Sequence, residues 1–501
     1  MRSNIATLLS VVTLCCTACN TDTITVTYNG DKAEVSPNDF EDVEITVKGS
    51  DVKVKNTSKE HELTFVLKGK SNDGSFTLKT DNKAKIKLDG IDLTSQEGAP
   101  LHIKNKGHKL ELCAADGTDN SLTITACKDT AKHKAAVIFA KDDLTFTGKG
   151  TLNVLATGDG CKGINVKEKI EINDLTLNVS TTGMYLGEDT TRRGGMPFDP
   201  NNIPEDVKKH MEEMKAKFEE MQKNGTLPPM MGPGKPMGMP GGMPPTDGEM
   251  PMGNPPMKHN YTGTTKGIKS NKTVTINSGK VKVTTESGGA EGIEGKKGVI
   301  INGGEVYIKS NDDAINANAQ IFFNGGDVTA ISLNNDAVDS NLEGGFPPFP
   351  GMDDDKKNTE PQKSAIIING GTIRAWSQAG GPEEGLDCDF SPIEVTGGTV
   401  LSIGAGMGEM PSVPTQETAK QPTILVIGLK VVNGTTVELY EADAKGKATG
   451  TALASFTPTI DFANSSSIIT SPSLKVGKKY CIKSGSQTKT FDMKDKFTIV
   501  R

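Results

Sequence analysis

The residues best suited to chemistry are acidic side chains that recur once per repeat in the second half of the chain. The repeats align on an aliphatic residue that follows Gly or Ala, namely Ile164, Ile268, Ile293, Ile315, Val338 and Leu386. The position two places earlier, termed the −2 column, holds Lys162, Lys266, Glu291, Asp313, Asp336 and Glu384. The position one place later, termed the +1 column, holds Asn165, Lys269, Glu294, Asn316, Asp339 and Asp387. Both columns therefore turn from Lys and Asn to acidic residues at Glu291.

Stacked carboxylates are costly unless a cation neutralises them. At the spacing of adjacent β-strands, roughly 4.8 Å, two carboxylates repel by about 1 kcal/mol in water and by several at a less polar surface. Calcium takes about six to eight oxygen ligands, whereas the columns contain no His or Cys that would favour zinc. The columns therefore predict calcium binding. In the alternative interpretation, Asp and Asn only satisfy backbone amides in bends, which explains Glu291, Glu294 and Glu384 poorly because Glu is not a favoured turn residue.

The elements that must position these columns form a repeat of roughly 22 to 25 residues. Each repeat has an aliphatic-x-aliphatic strand, a polar turn rich in Gly and a second such strand. The turns include Asn277-Ser278-Gly279, Asn302-Gly303-Gly304, Asn324-Gly325-Gly326, Asn369-Gly370-Gly371 and Thr396-Gly397-Gly398. Short alternating strands joined by Gly turns predict the coils of an all-β parallel β-helix. A leucine-rich repeat would need a Leu and Asn signature that is missing, and a β-sandwich would not repeat its turn at fixed spacing.

The chain is predicted to contain one long solenoid with additions. Residues 20–135 read as N-terminal coils and a cap, residues 136–410 as the β-helix, and residues 411–501 as a small β domain at its end. Insertions are expected at about 186–260 and 342–362. The first begins with a helical stretch near Pro204 to Lys223 and continues as a Met-Pro-Gly run, for which a flexible loop is a commoner explanation than a copper site.

The N-terminal segment, residues 1–19, reads as an export signal with Arg2, an apolar stretch and a small-residue ending before Cys19. It resembles a bacterial lipoprotein signal, which predicts acylation of Cys19 and a lipid anchor at the outer membrane or cell surface. Ordinary secretion is the alternative. The five later cysteines lack metal-ligand spacing and their odd number argues against a disulfide framework. The net charge of −7 argues against a nucleic-acid partner.

A family resemblance rests on the segment from Ala136 to Phe146, on Gly148-Lys149-Gly150-Thr151-Leu152, and on the Asn-Gly-Gly turns. Over about residues 80–410 the chain resembles a carbohydrate-binding β-helix family of bacterial surface proteins that bind polygalacturonate. The resemblance implies a right-handed parallel β-helix, calcium held by acidic side chains and affinity for acidic polysaccharide such as pectin. It also implies similarity to pectate lyases without established catalysis. The calcium positions that it implies are Glu291, Glu294, Asp312, Asp313, Asp336, Asp339, Glu384 and Asp387.

Three functions remain open from the sequence: a binder of acidic polysaccharide, a calcium-dependent lyase acting by β-elimination, and a structural adhesin stiffened by calcium. A lyase needs a Lys or Arg base beside the metal, for which Lys266, Lys269, Lys296, Lys297 and Arg374 are candidates. Their more economical role is to pair with uronate carboxylates. Alternation places Tyr307, Arg374 and Trp376 outward, where they could stack on sugars unless an insertion covers them. The predicted carbohydrate-binding residues are thus Lys266, Lys269, Lys296, Tyr307, Arg374 and Trp376.

Overall fold

A computed structural model describes residues 22–58, 62–127, 135–184, 265–341, 363–388, 391–405 and 412–501. The export signal with Cys19, the expected helix near Pro204 and both expected insertions lie outside these residues. The described residues form 38 β-strands and contain no helix, hence none that could cross a membrane. The first ten strands are β1 (Thr23–Asn29), β2 (Lys32–Ser36), β3 (Val43–Lys48), β4 (Asp51–Asn56), β5 (Leu63–Ser71), β6 (Ser75–Thr80), β7 (Ala84–Ser95), β8 (Leu101–Lys104), β9 (Leu110–Ala114) and β10 (Asp119–Ile124).

The middle of the chain supplies twenty short strands. They are β11 (Ala136–Ala140), β12 (Leu144–Gly148), β13 (Thr151–Ala156), β14 (Lys162–Val166), β15 (Ile170–Ile172), β16 (Thr176–Thr181), β17 (Lys266–Ser270), β18 (Val274–Ile276), β19 (Lys280–Thr285), β20 (Glu291–Gly295), β21 (Val299–Ile301), β22 (Glu305–Ser310), β23 (Ile315–Ala317), β24 (Ile321–Phe323), β25 (Asp327–Ser332), β26 (Val338–Ser340), β27 (Ile366–Ile368), β28 (Thr372–Ser377), β29 (Ile393–Val395) and β30 (Thr399–Ile403).

The middle strands pair in parallel with the equivalent strands of the next repeat, so that they form three ladders. The first ladder runs through β11, β14, β17, β20, β23 and β26. The second runs through β12, β15, β18, β21, β24, β27 and β29. The third runs through β13, β16, β19, β22, β25, β28 and β30. The described middle strands are therefore an all-β stack of parallel coils, and their second and third ladders belong to one 24-stranded sheet.

The core of the coils is a column of aliphatic side chains contributed once per repeat. Those of the first ladder, Ile164, Ile268, Ile293, Ile315 and Val338, are fully buried. Burial of such a side chain contributes about 1.5–3 kcal/mol, so the column holds successive coils together. The small residue before each aliphatic one is required, because a Cβ at Gly163, Gly267 or Gly292 would lie 2.3–2.4 Å from a core methyl group.

An asparagine ladder fixes the polar turns of neighbouring coils. The side-chain Nδ2 of Asn302 donates to Asn277 Oδ1 at 2.7 Å, and Asn324 and Asn369 continue the series at 2.7 Å each. Thr396 ends it with a hydroxyl donated to Asn369 Oδ1 at 2.7 Å. Each side-chain amide oxygen therefore accepts a hydrogen bond from the next coil, and these bonds hold the turns in register.

The last eight strands cover the end of the coils. They are β31 (Pro414–Ala419), β32 (Thr423–Val431), β33 (Val437–Ala442), β34 (Ala448–Phe456), β35 (Phe462–Thr470), β36 (Lys479–Ser484), β37 (Gln487–Asp492) and β38 (Phe497–Val500). β32 pairs with β35 and β38, and β35 also pairs antiparallel with β30 of the last coil. β33, β34, β36 and β37 form a separate four-stranded sheet. The open edge that a parallel stack would expose at this end is thereby paired.

Candidate functional site

The two polar columns stack on the first ladder as the alignment predicts. Lys266 pairs with Glu291, and Lys269 pairs with Glu294. The +1 column continues from Glu294 through Asn316 and Asp339 to Asp387. Because side chains alternate along a strand, the +1 residues point away from the buried aliphatic column. The −2 residues reach the same face, since Lys266 of the −2 column contacts Glu294 of the +1 column, and Asn316 donates to Asp313. Neighbouring coils thus bring their carboxylates one strand spacing apart.

A cluster of two lysines and two glutamates, termed the Lys–Glu cluster, stands where the columns change sign. Lys266 Nζ lies 2.6 Å from Glu291 Oε1 and 3.0 Å from Glu294 Oε2, and Lys269 Nζ lies 2.8 Å from Glu294 Oε2. Lys266 is only 7% exposed. Burial lowers its pKa, but the carboxylates of Glu291 and Glu294 outweigh burial and raise that pKa above its ordinary value. The ammonium group therefore stays charged between two carboxylates.

The Lys–Glu cluster alters the expected role of its four members. Glu291 and Glu294 already have cationic partners, so they do not form an uncompensated start to the acidic columns. Lys266 is committed to the same ion pairs and, with its raised pKa, does not supply a base. The carboxylates without a lysine beside them begin one coil later, at Asp313.

The acidic face, defined as Asp312, Asp313, Asn316, Asp336, Asp339, Glu384 and Asp387, follows on the next coils. Asn316 Nδ2 donates to Asp313 Oδ2 at 2.8 Å and to Asp339 Oδ2 at 3.2 Å, so one amide bridges carboxylates of two coils. Asn341 Nδ2 also donates to Asp339 Oδ2. Asn335 Nδ2 donates to Asp312 Oδ1 at 2.7 Å. Amide donors therefore separate several of the carboxylates.

Residues of the last coil close the far end of the acidic face. The backbone amide of Glu384 donates to Asp336 Oδ1. The backbone amide of Ser412 donates to Glu384 Oε2 at 2.8 Å, and the Ser412 hydroxyl donates to Asp387 Oδ1 at 2.9 Å. The alignment missed Ser412 because it lies beyond the last repeat and carries no periodic signal. It shows that this end is held by neutral hydrogen-bond donors.

Burial strongly perturbs two aspartates of the acidic face. Asp313 and Asp336 are 3% and 6% exposed. Burial, with the neighbouring Asp312, raises the pKa of Asp313 to about 8. Burial, with Asp387 and Asp313 nearby, raises the pKa of Asp336 to about 10 despite the amide hydrogen bond from Glu384. In the described part of the chain neither pairs with a lysine or arginine, so each takes up a proton at neutral pH unless another positive charge is present.

The donor chemistry of the acidic face suits a hard cation such as calcium. It offers carboxylate and amide oxygens, and Asp313 Oδ1 is buried without a hydrogen-bond partner among the described residues. The side chains as they stand do not enclose an ion, because no group of three or more His, Cys, Asp or Glu in the described ranges is arranged to hold a metal. A bound cation would therefore require side-chain rotation, including that of the Asn316 amide, whose nitrogen lies between two carboxylates.

The predicted sugar-binding residues do not form one site. Lys296 lies on the first ladder beside the Lys–Glu cluster, whereas Tyr307 and Arg374 lie on the third ladder. Arg374 pairs with Asp327, and its guanidinium carbon lies 6.0 Å from the ring centre of Phe456. The structure therefore separates the aromatic candidates from the acidic columns.

Trp376, which the sequence left open as either a sugar-stacking residue or a covered one, is covered by the C-terminal strands. Its side chain points out of the coils as alternation predicts, but it is only 2% exposed. Trp376 packs in one hydrophobic cluster with Ile331 and Ile403 of neighbouring coils and with Ile424 and Leu429 of the C-terminal strands. An apolar stripe on the third ladder is thus the surface that the C-terminal strands cover, and Trp376 belongs to that contact.

Known proteins resemble part of the chain. A family described as "Carbohydrate-binding domain-containing protein" matches residues 39–187 and 257–337, a little under half of the sequence. A protein of that description from Acetivibrio thermocellus is 31% identical over 119 residues, which span 23% of this chain and 41% of the relative's length. A solved structure of a polysaccharide lyase-like protein from C. thermocellum, a gadolinium derivative, is 18% identical with a TM-score of 0.38 and covers 71% of this chain and 95% of that chain. Over the matched residues the chain is therefore similar to a carbohydrate-binding domain family.

Proposed function

We propose that this chain binds an acidic polysaccharide, polygalacturonate or a related pectin-like uronan, in a calcium-dependent manner at the acidic face. The observation that carries the proposal is the pair Asp313 and Asp336, buried on adjacent coils with no basic partner in the described residues. The similarity to a carbohydrate-binding domain family supports a saccharide ligand. The family match includes both aspartates, which supports assigning the ligand to this part of the chain.

Calcium would be held by Asp312, Asp313, Asp336, Asp339, Glu384 and Asp387, with Asn316 contributing its amide oxygen. Bound there, the ion supplies positive charge that offsets the repulsion within the columns and attracts the carboxylates of a uronan. Glu291 can join through Oε2, which is buried and without a hydrogen bond in the described part of the chain. Glu294 already forms ion pairs with two lysines and is therefore less available to bind calcium.

Lysines next to the acidic face would orient the glycan. Lys296 lies directly after β20 of the first ladder and is only partly buried, whereas Lys269 is already ion-paired with Glu294. Lysine ammonium groups pair with carboxylates as mobile point charges. They therefore suit a chain whose acidic groups vary slightly in position.

The test compares the full chain with the double variant Asp313→Asn/Asp336→Asn. Calcium binding is measured by calorimetry, and polygalacturonate binding is measured by pull-down with and without chelator. In the parent chain we expect calcium binding and stronger glycan retention with calcium than in chelator. The variant should lose both the calcium binding and this difference in retention. The control, Glu286→Gln/Glu305→Gln, removes two exposed acidic charges elsewhere on the coils and should leave both unchanged. Calcium binding that survives in the aspartate variant would refute the assignment.

The alternatives give different outcomes in the same samples. A lyase would release unsaturated uronates, which ultraviolet absorbance detects. No observation favours a lyase, because Lys266 is ion-paired and Arg374 lies on another ladder. A calcium-stiffened adhesin would gain thermal stability with calcium and retain no glycan. Glycan retention together with a flat absorbance trace supports the binder.

Two further expectations complete the proposal. We expect the coils to have the right hand, because parallel crossover connections are right-handed in nearly all proteins. We also expect export and acylation at Cys19, which would tether the glycan-binding coils to the bacterial surface. Mass spectrometry of the membrane fraction, compared with Cys19→Ser, tests the anchor.

A further inference from the structure

A column of lysines runs at the ends of successive strands of the ten-stranded sheet that contains the first ladder, β4, β6 and β8, on the coils that precede the acidic face. Lys55 pairs with Lys79, and Lys79 pairs with Lys104. The backbone amide of Lys141 donates to Ile103 of the coil before, and that of Lys167 donates to Ala140, so the register continues. Asn271 and Lys296 occupy the equivalent positions on the next coils. Six of seven successive coils thus place a lysine at one position; this set is termed the lysine column.

The lysine column borders a groove of about 520 Å³ on the N-terminal coils. Its lining residues are Lys79, Lys104, Lys106, Phe139, Lys141, Asp142 and Lys167. Five of the seven are lysines, of which Lys79, Lys106 and Lys141 are exposed. Lys106 is engaged by Asp81, and Asp142 is the acidic residue of the lining. Lysines thus outnumber acidic residues in the lining five to one, in a protein whose net charge is −7.

The lysines of the groove and of the neighbouring coils also act on one another. Partial burial lowers the pKa of Lys167, and Lys269 and Lys296 lower it further because all three are cations on neighbouring coils. Lysines stacked at roughly the strand spacing of 4.8 Å repel one another much as carboxylates do. A ligand with regularly spaced negative charges would remove that repulsion along the whole column.

We propose that the lysine column is a second, metal-independent binding site for a linear polyanionic glycan lying along the stack of coils. The proposal takes its ligand class, an acidic polysaccharide, from the proposed function, but it uses different residues and needs no cation. The column is straight because the coils are in register, so its charges recur at one strand spacing. An extended glycan with an acidic group on each sugar, or on every second sugar, presents its charges at comparable regular intervals.

A glycan fits the groove better than a single-stranded nucleic acid. Sites for single strands combine basic grooves with aromatic rings on which bases stack. Phe139 is the aromatic residue lining this groove; it is 3% exposed and makes an edge contact with His102, with ring centres 5.1 Å apart. No ring in the described lining is therefore available for stacking, whereas ammonium groups alone suffice for sugar acids.

The test uses Lys79→Gln/Lys104→Gln/Lys141→Gln in the full chain, with Lys68→Gln/Lys282→Gln/Lys309→Gln as a control that removes three exposed lysines from the other sheet. Each is titrated with polygalacturonate in chelator and in calcium, at low and at moderate salt. Fully methyl-esterified polygalacturonate serves as an uncharged probe, and single-stranded DNA as the competing polyanion. Circular dichroism confirms that each variant is folded.

In chelator, the parent chain and the control should bind polygalacturonate in a salt-sensitive manner. The column variant should bind roughly tenfold more weakly, which is about 1.4 kcal/mol spread over three exposed ion pairs. The methyl-esterified chain should not bind. Equal affinity of column variant and control in chelator overturns the proposal, as does tighter binding of DNA than of polygalacturonate. If calcium has no effect but the column variant still loses affinity, the calcium proposal fails and the lysine column stands. If the parent chain binds polygalacturonate in calcium but not at all in chelator, the lysine-column proposal fails and the calcium proposal stands.

Discussion

Replacing Lys266 with Met tests the electrostatic account of the Lys–Glu cluster. The side chain is 7% exposed and lies within 3.0 Å of carboxylate oxygens of both Glu291 and Glu294. Methionine keeps the unbranched stem but removes the charge, so two buried carboxylates lose a shared partner. Breaking a buried pair in this way costs about 3–5 kcal/mol. Lys269 remains 2.8 Å from Glu294, so we expect the loss to fall near the lower end of that range.

The chain contains a matched control for this substitution. Lys280 and Glu305 also form an ion pair between adjacent coils, at 2.9 Å, but their side chains are 68% and 66% exposed. Lys280→Met should therefore cost no more than about 1 kcal/mol. The double variant Lys266→Met/Glu291→Gln should recover much of the stability lost in Lys266→Met, because the uncompensated charge is gone.

The assay is unfolding in urea, monitored by circular dichroism. Urea is used because, unlike guanidinium, it does not screen charge. Chelator is present so that no added cation replaces the lysine. The free energy of unfolding is compared among the parent chain, the two single variants and the double variant. The reasoning is refuted if Lys266→Met and Lys280→Met lose the same small amount, or if Glu291→Gln brings no recovery.

Three other predictions address the fold. Asn302→Ala removes one amide that donates to Asn277 and accepts from Asn324. Both hydrogen bonds are exposed, so the unfolding free energy should fall by about 0.5–1.5 kcal/mol in the same urea assay. Gly326→Ala should destabilise the chain by about 1–3 kcal/mol, because φ is +87° and the new Cβ would lie 2.9 Å from the Gly304 carbonyl oxygen; a melting temperature equal to that of the parent would contradict this. Emission from Trp376, the single Trp of the chain, should be blue-shifted and resistant to iodide in the folded state, and strong quenching would show that the C-terminal strands do not cover it.

The stacking of the coils followed from local patterns in the sequence. The period of the turns and the aliphatic residue of each repeat gave the correct pairings of Ile164, Ile268 and Ile293, because a one-residue slip would expose the whole aliphatic column. The sequence also predicted a small residue before each aliphatic one. The structure explains this requirement, because a larger side chain there would clash with Val179 or Val283.

Contacts between distant parts of the chain could not be read from the repeat. Alternation gave the direction of the Trp376 side chain, but nothing local showed that Ile424 and Leu429 would cover it. The ion pairs of Lys266 follow from its register with Glu291, which the alignment contained; their strength depends on burial, which it did not. Ser412 has no periodic signal at all.

The change of sign along the first ladder links the two proposed sites. Lysines dominate the coils up to Lys296, carboxylates dominate from Asp313, and the Lys–Glu cluster between them is internally neutral. Beyond Lys296 the position of the lysine column is taken by Asn318 and Asn341, and Asn341 donates to the carboxylate of Asp339. A polyanion that continued along the stack would therefore lie close to carboxylates, and like charges repel at this spacing. Only a cation on the acidic face would let the same chain extend across both. Chelation should therefore shorten the bound stretch of glycan rather than release it, so that short oligouronates lose less affinity in chelator than long ones do.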